Sequence, residues 1–224
     1  MGGEFRAALD DTILSSEIGD FVVDQAFRQA GEWVKAGINF GHVALNMSPQ
    51  QFQHECLVDG LLEMLARQQL APHHIQLEIT EETVLSRSAD VVLAACTRLR
   101  EMGMLIAFDD FGTGFASLTH LIEFPVDIIK VDRNFVSRLD RDARARSIVA
   151  SIVGQARNLE LGIVAEGVET EEQRDLLQAM GCSVAQGFLF SAAVSPDVLF
   201  PADSRWGEQI PPSTGSSRTT TQTH

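Results

Sequence analysis

The fold is decided by the stretch Ala107-Phe108-Asp109-Asp110-Phe111-Gly112-Thr113-Gly114-Phe115. It overlaps the short apolar run Met104-Leu105-Ile106-Ala107-Phe108, which glycines bound on both sides. A short apolar run between glycines predicts a buried strand. The adjacent carboxylates Asp109 and Asp110 are therefore expected where the chain leaves the core. They repel each other unless water or a cation lies between them, so a solvated acidic turn and a cation site both fit this stretch alone.

Strand and helix patterns alternate along the rest of the chain. Further strands are predicted over residues 42–48, 75–80, 126–132 and 162–167, and a last strand pair or bent strand over residues 184–190. Helices are predicted over residues 18–35, 57–70, 89–102, 116–122, 143–159 and 171–180. This alternation predicts parallel βα units, which form either an open doubly wound sheet or a closed barrel. We assign residues 1–200 to this domain and predict a disordered polar tail over residues 201–224, which are rich in Ser, Thr and Pro.

Composition limits the classes of partner. The 224 residues carry 17 basic and 31 acidic side chains, a formal net charge of −14. This charge argues against a nucleic-acid polymer or an anionic membrane, while a bound divalent metal would still admit a small anionic ligand. The three cysteines form no CxxC pair, which favours a reducing, cytoplasmic setting. We find no signal-peptide pattern and no apolar run that would span a membrane.

Polar side chains recur at the C-terminal ends of the predicted strands. They are Asn46, Glu78, Asp109, Asp110, Lys130, Glu166 and Gln186. Because the C-terminal ends of parallel strands gather on one face, we expect these side chains to converge. An oxygen-rich set suits Mg²⁺ or Mn²⁺ rather than zinc, and a lysine beside it would hold a carboxylate or offset charge on a phosphoryl group. Any one of these residues alone is more simply a loop hydrogen-bonder, but the repetition on successive strands favours a metal site.

Several stretches closely resemble the motifs of the EAL-domain family. They are Leu77-Glu78-Ile79-Thr80-Glu81, Asp109-Asp110-Phe111-Gly112-Thr113-Gly114, Ile129-Lys130-Val131-Asp132-Arg133, Ala165-Glu166-Gly167-Val168-Glu169-Thr170 and Gln186-Gly187-Phe188-Leu189-Phe190-Ser191. In addition, Asn46-Met47-Ser48 is similar to the Asn-Leu-Ser motif of that family. The resemblance implies a TIM-like (β/α) barrel. It also implies a bacterial phosphodiesterase that opens cyclic di-GMP to the linear dinucleotide pGpG.

The resemblance also implies a role for each metal-site residue. Two Mg²⁺ or Mn²⁺ ions would be ligated by Asn46, Glu78 and Asp109, with Asp110 at the second ion. Glu166 would bind metal directly or through water, or act as the base toward the attacking water. Lys130 would orient that water and offset charge at phosphorus.

Further residues would support the site or the substrate. Gln186 would hold the site from the last strand, and Glu81 would anchor the loop of residues 110–117. A contact to the ligand is implied for Arg133 or Asp132, and Glu169 is assigned to substrate binding or loop support.

The Glu-Ala-Leu motif that names the family does not occur in this sequence. Its Glu is a metal ligand on an early strand of the family's barrel, and residues 5–12 align with the segment just after that strand. The resemblance therefore implies a barrel that lacks its opening strands. We expect raw sheet edges, weakened metal binding and impaired activity. A natural truncation and a fragment of a longer protein both fit.

Three functions stay open at this point. The chain is a metal-dependent cyclic di-GMP phosphodiesterase, a receptor that binds cyclic di-GMP without cleaving it, or a protein-interaction module. The family resemblance adds a homodimer as an expected assembly. It also adds a sensor or diguanylate-cyclase-like domain as an expected neighbour in a longer parent chain.

Overall fold

The structure, a computed structural model, describes residues 12–112 and 118–200. In these two ranges the strands are β1 (Val43–Asn46), β2 (Ile75–Thr80), β3 (Leu105–Phe111), β4 (Ile128–Val131), β5 (Gly162–Ala165) and β6 (Val184–Ala185). The helices are α1 (Thr12–Lys35), α2 (Leu57–Gln68), α3 (Glu81–Val84), α4 (Ala89–Glu101), α5 (Leu118–Glu123), α6 (Arg133–Val136), α7 (Ala143–Asn158), α8 (Glu171–Met180) and α9 (Pro196–Leu199). Short 3-10 helices cover Gln51–Gln53 and Pro72–His74.

The strands form one parallel sheet in the order in which they occur along the chain. Helices connect successive strands, so the predicted succession of parallel βα units is confirmed. Among the described residues, β1 and β6 each pair with a neighbour on one side only. The sheet is therefore a half-barrel, which agrees with the predicted TIM-like barrel that is incomplete.

The two faces of the sheet have different chemistry, because side chains alternate along a strand. The face that packs against the helices is apolar and fully buried, with Leu77, Ile79, Ile106, Phe108 and Ile129 at 0% exposure. The inner face carries the buried polar side chains Gln76, Glu78, Asp109 and Lys130. The apolar core thus lies between sheet and helices, and the polar residues are gathered inside the half-barrel.

Strand β3 is longer than the sequence predicted. It continues through both aspartates to Phe111, whose ring is buried and packs edge-on against Phe108 at a centroid distance of 5.6 Å. The register with β4 shifts between Phe108 and Phe111, and Asp110 has a φ of 54°. A bulge thus absorbs the two aspartates, so that the strand recovers its pairing at Phe111.

Strand β6 is shorter than predicted, with two residues in place of the expected range 184–190. Gly187 has a φ of 154°, and a Cβ at this position would collide with the backbone of Val168. The close approach of these two segments turns the chain away from the ladder.

The described residues include only part of each end of the chain. Helix α1 begins at Thr12, earlier than the predicted residue 18. The predicted disordered tail, residues 201–224, lies outside the described residues. In the described ranges, every helix is too short or too polar to cross a membrane.

Candidate active site

Lys130 lies at the centre of the site, on the inner face of β4. Its side chain is 5% exposed. Its Nζ atom lies 2.5 Å from Glu78 Oε2, 2.7 Å from Glu166 Oε1 and 3.1 Å from Asp109 Oδ1. Burial alone would lower the pKa of Lys130. Hydrogen bonds to Glu166 and Glu78 and the nearby carboxylate charges outweigh burial and raise this pKa above its usual value, so the ammonium stays charged.

The sheet topology explains why these four side chains meet. They come from neighbouring parallel strands, β2 to β5, and each lies at or just beyond the C-terminal half of its strand. Residues two apart on a strand share a face, so Gln76 and Glu78 point inward while Leu77 and Ile79 enter the core. The convergence at one end of the sheet is the one that the sequence predicted.

Three carboxylates form a compact acidic group beside Lys130. Asp109, Asp110 and Glu166 each offer one oxygen, and these oxygens all lie within 4.8 Å of one another. In a regular strand, consecutive side chains point to opposite faces, but the bulge at Asp110 lets both aspartates contribute. A set of carboxylate oxygens at this spacing fits a divalent cation that prefers oxygen ligands.

The electrostatics of this group favour a cation as well. Burial, followed by the charge of Asp109 and a hydrogen bond and charge from Asp132, raises the pKa of Asp110 to about 6. Burial also raises the pKa of Glu166, against the opposing effect of Lys130. Raised carboxylate pKa values mean that the negative charge is only partly compensated, and a divalent ion would compensate the rest.

Glu78 is held from two sides. Lys130 Nζ donates to Glu78 Oε2, and Gln76 Nε2 donates to Glu78 Oε1 at 3.0 Å. Glu78 lies outside the compact acidic group described above. Gln76 is not among the residues that the sequence predicted for the site. The available signal was its position two residues before Glu78, which places both side chains on one face of β2.

The remaining predicted metal-site residues lie on the edge strands. Asn46, the last residue of β1, is exposed and pairs in register with Glu78. Gln186 follows β6, and its Nε2 donates to Glu166 Oε1 at 2.7 Å. The structure thus connects Gln186 to the acidic group, whereas Asn46 is placed next to Glu78 only through the backbone pairing. The roles of both residues stay predictions.

Glu81 begins α3 directly after β2. It is buried, and neither carboxylate oxygen has a hydrogen-bond partner among the described residues. The loop that it is predicted to anchor includes residues 113–117, which are outside the described ranges. Its anchoring role therefore stays a prediction.

A cavity of about 430 Å³ adjoins the end of β5 and the segment after β6. Its lining includes Arg133 and Glu169, two of the residues predicted for substrate binding or loop support, together with Gly187 and Phe188. Phe188, an apolar aromatic residue, is 74% exposed. The other predicted ligand contact, Asp132, is instead buried and accepts a hydrogen bond from Asn134 N at 2.8 Å as the N-cap of α6.

Comparisons with known proteins identify the family to which the chain belongs. A family model of the EAL domain matches residues 2–193. The bifunctional diguanylate cyclase/cyclic di-GMP phosphodiesterase MucR of Pseudomonas aeruginosa is 41% identical over 197 residues, which are 88% of this chain and 29% of MucR. The chain thus spans less than a third of that relative's length.

Solved structures of relatives share the fold. The MucR phosphodiesterase in complex with cyclic di-GMP has a TM-score of 0.82 at 41% identity, and the match covers 88% of this chain and 80% of the MucR chain in that structure. The manganese and cyclic di-GMP complex of Klebsiella pneumoniae BlrP1 has a TM-score of 0.68 at 35% identity, and the match covers 75% of this chain and 42% of the BlrP1 chain. The predicted family and barrel type are therefore confirmed. This chain belongs to the EAL domain family.

Proposed function

We propose that this domain hydrolyses one phosphodiester bond of cyclic di-GMP in a metal-dependent reaction that gives pGpG. The observation that carries the proposal is the group of Asp109, Asp110 and Glu166, three carboxylates within 4.8 Å of one another beside a buried lysine. Membership of the EAL family supports the reaction, and the cyclic di-GMP complexes of two relatives support the substrate.

The acidic group would hold Mg²⁺ or Mn²⁺. Asp109, Asp110 and Glu166 supply only oxygen ligands, which both ions prefer, and Asn46 and Glu78 are the proposed additional ligands. When bound, the metal lowers the pKa of a water molecule and offsets charge on the phosphoryl oxygens.

Each of three side chains has a separate role in the proposed reaction. Glu166 accepts the proton of the attacking water. The water oxygen bonds to phosphorus, the bond from phosphorus to the ribose 3′-oxygen breaks, and that oxygen takes up a proton to give pGpG. Lys130 stays charged and offsets the negative charge that builds on the phosphoryl group. Gln186 fixes Glu166 through its 2.7 Å hydrogen bond.

The cavity beside the acidic group would take one nucleotide. Arg133 offers a cation for a phosphate, and the carboxylate of Glu169 can accept hydrogen bonds from the donors on the guanine edge. Phe188 exposes a ring on which a base can stack. These three residues are our proposed substrate contacts, whereas Asp132 would act indirectly through Asp110.

We expect this chain to turn over more slowly than family members that carry the Glu-Ala-Leu motif. A metal site with one carboxylate fewer binds its ion more weakly and leaves more of the protein without metal. The retained acidic group and Lys130 nevertheless provide the ligands and the cation that the reaction needs.

Nucleotide chromatography tests the proposal. The purified chain is incubated with cyclic di-GMP and Mn²⁺, beside the isosteric variant Glu166→Gln and a control, Glu172→Gln, which alters an exposed carboxylate on α8. The expected result is pGpG from the wild type and from Glu172→Gln, with none from Glu166→Gln. Unchanged pGpG formation by Glu166→Gln contradicts the role of this residue. Tight binding of intact cyclic di-GMP without any pGpG identifies a receptor and contradicts the hydrolysis.

A further inference from the structure

Gln76 is a buried polar residue to which the proposed reaction gives no role. It lies on the inner face of β2, between Ala44 of β1 and Leu105 of β3 in the sheet register. Only 3% of the residue is exposed. Its side chain reaches forward along the strand, and its Nε2 lies 3.0 Å from Glu78 Oε1.

The chemistry of the two groups fixes the orientation of the amide. An ionised carboxylate only accepts hydrogen bonds, so the amide nitrogen of Gln76 must face Glu78. The amide oxygen is then turned away, and among the described residues this buried atom has no hydrogen-bond partner. A buried acceptor without a partner is unfavourable, and an apolar side chain at position 76 would avoid it. Packing therefore does not explain the amide, whereas its donor to Glu78 does.

The hydrogen bond acts on a carboxylate that is already held on its other side. Glu78 Oε2 lies 2.5 Å from Lys130 Nζ, so its two oxygens have one neutral donor and one charged donor. Without the amide, the carboxylate could rotate about its last torsion, since such terminal torsions have broad minima. With the amide, Oε2 stays directed at Lys130, which also contacts Asp109 and Glu166.

We propose that Gln76 is a positioning residue, which holds Glu78 in the orientation needed for the divalent metal site. This inference rests on the metal site of the proposed function and adds a residue to it. Groups that hydrogen-bond to a metal ligand orient it, and their removal lowers metal affinity by about 10–100-fold.

Mn²⁺ titration of the full chain, followed by electron paramagnetic resonance, tests the proposal without substrate. Gln76→Met keeps the size and removes the donor. Gln173→Met is the matched control, because Gln173 is buried to 4% exposure and serves the N-cap of α8 instead. We expect Gln76→Met to weaken Mn²⁺ binding by about tenfold or more and to change the spectrum of the bound ion. Gln173→Met should lower the melting temperature and leave Mn²⁺ affinity unchanged.

A double-mutant cycle separates positioning from a general loss of structure. In a Glu78→Gln background, Gln76→Met should cause no further loss of affinity, because the residue through which it acts has changed. Gln76→Asn keeps an amide but is one methylene too short to reach Glu78, so it should also weaken Mn²⁺ binding. It replaces Gln76→Met as the test if the methionine variant fails to fold.

Several results would overturn the proposal. They are Mn²⁺ affinity within twofold of the wild type in Gln76→Met or Gln76→Asn, an equal loss in the Glu78→Gln background, and the absence of Mn²⁺ binding by the wild type. A chain that binds Mn²⁺ in a Gln76-dependent way but forms no pGpG would refute the hydrolysis alone and leave the positioning role standing.

Discussion

Replacing Lys130 by methionine should destabilise the metal-free protein strongly. Methionine keeps the approximate length of the lysine stem but removes the ammonium charge that contacts Glu78, Asp109 and Glu166 together. The carboxylates would then either repel one another inside the half-barrel or take up protons. Either response costs folding free energy at neutral pH.

The structure gives the size of the effect. All three carboxylate side chains are at most 15% exposed, so solvent screens them only weakly. Removal of one partner from a buried ionic network costs about 3–5 kcal/mol. For a chain of this size, 1 kcal/mol corresponds to about 2–4 °C in melting temperature. We therefore expect the Lys130→Met variant to melt about 6–20 °C below the wild type in EDTA.

Thermal unfolding followed by circular dichroism, in EDTA and in Mn²⁺, is the assay. Mn²⁺ should recover most of the loss, because a divalent ion bound only by the folded state replaces the missing charge. The matched control is Arg100→Met, which breaks an exposed ion pair with Asp127 and should cost less than about 1 kcal/mol. The expected loss in EDTA is about 6–20 °C. A Lys130→Met variant that melts within about 3 °C of the wild type in EDTA would therefore refute the reasoning. A loss of melting temperature that Mn²⁺ does not reduce would refute it as well.

Three further predictions concern the acidic group and its supports. Because the pKa of folded Asp110 is raised to about 6, the folded state holds a proton there that the unfolded chain has lost, so this residue's contribution to stability falls as pH rises from about 4 to 6. Urea unfolding of the metal-free wild type against Asp110→Asn across this range checks the sign, and Mn²⁺ affinity should fall as pH drops below about 6. Gly187→Ala should lower both the melting temperature and cyclic di-GMP affinity, because the new Cβ collides with the backbone of Val168; calorimetry with the nucleotide measures both, and unchanged values contradict the account. Thr170→Ala removes the cap of α8 and should cost about 1 kcal/mol in urea unfolding while Mn²⁺ affinity stays unchanged.

The elements that sequence patterns placed best are those with clear boundaries. β2 was predicted over residues 75–80 and is found as Ile75–Thr80, because Pro72 precedes its apolar residues and a helix start follows them. Helix α8 was predicted over residues 171–180 and is found there, between a Thr cap and Gly181. In such segments the local signals and the tertiary structure agree.

The sequence was a poorer guide where tertiary contacts overrode a local signal. Two adjacent aspartates resemble the end of a strand, yet burial of Phe111 extends β3 past them through a bulge. The short β6 depends on the close approach of Gly187 to Val168, which involves residues about twenty positions apart and leaves no local pattern.

The sequence predicted which residues lie at the candidate site, but not the distances between their side chains. Strand ends identified Glu78, Lys130 and Glu166, because parallel strands bring their C-terminal ends together. That Lys130 contacts three carboxylates at once depends on distances between strands, which no spacing within one strand encodes. Gln76 was missed for the same reason, since a glutamine in a strand has no distinctive pattern until its contact with Glu78 is known.

We propose that the strand-end carboxylates support metal-dependent hydrolysis of cyclic di-GMP. Its most direct test is a chromatographic time course of cyclic di-GMP with the purified chain, in Mn²⁺ and then in excess EDTA. We expect pGpG to accumulate slowly in Mn²⁺, EDTA to stop its formation, and the Glu166→Gln variant to form none. Cyclic di-GMP that stays intact with folded protein in Mn²⁺, or pGpG formation that EDTA leaves unchanged, would contradict it.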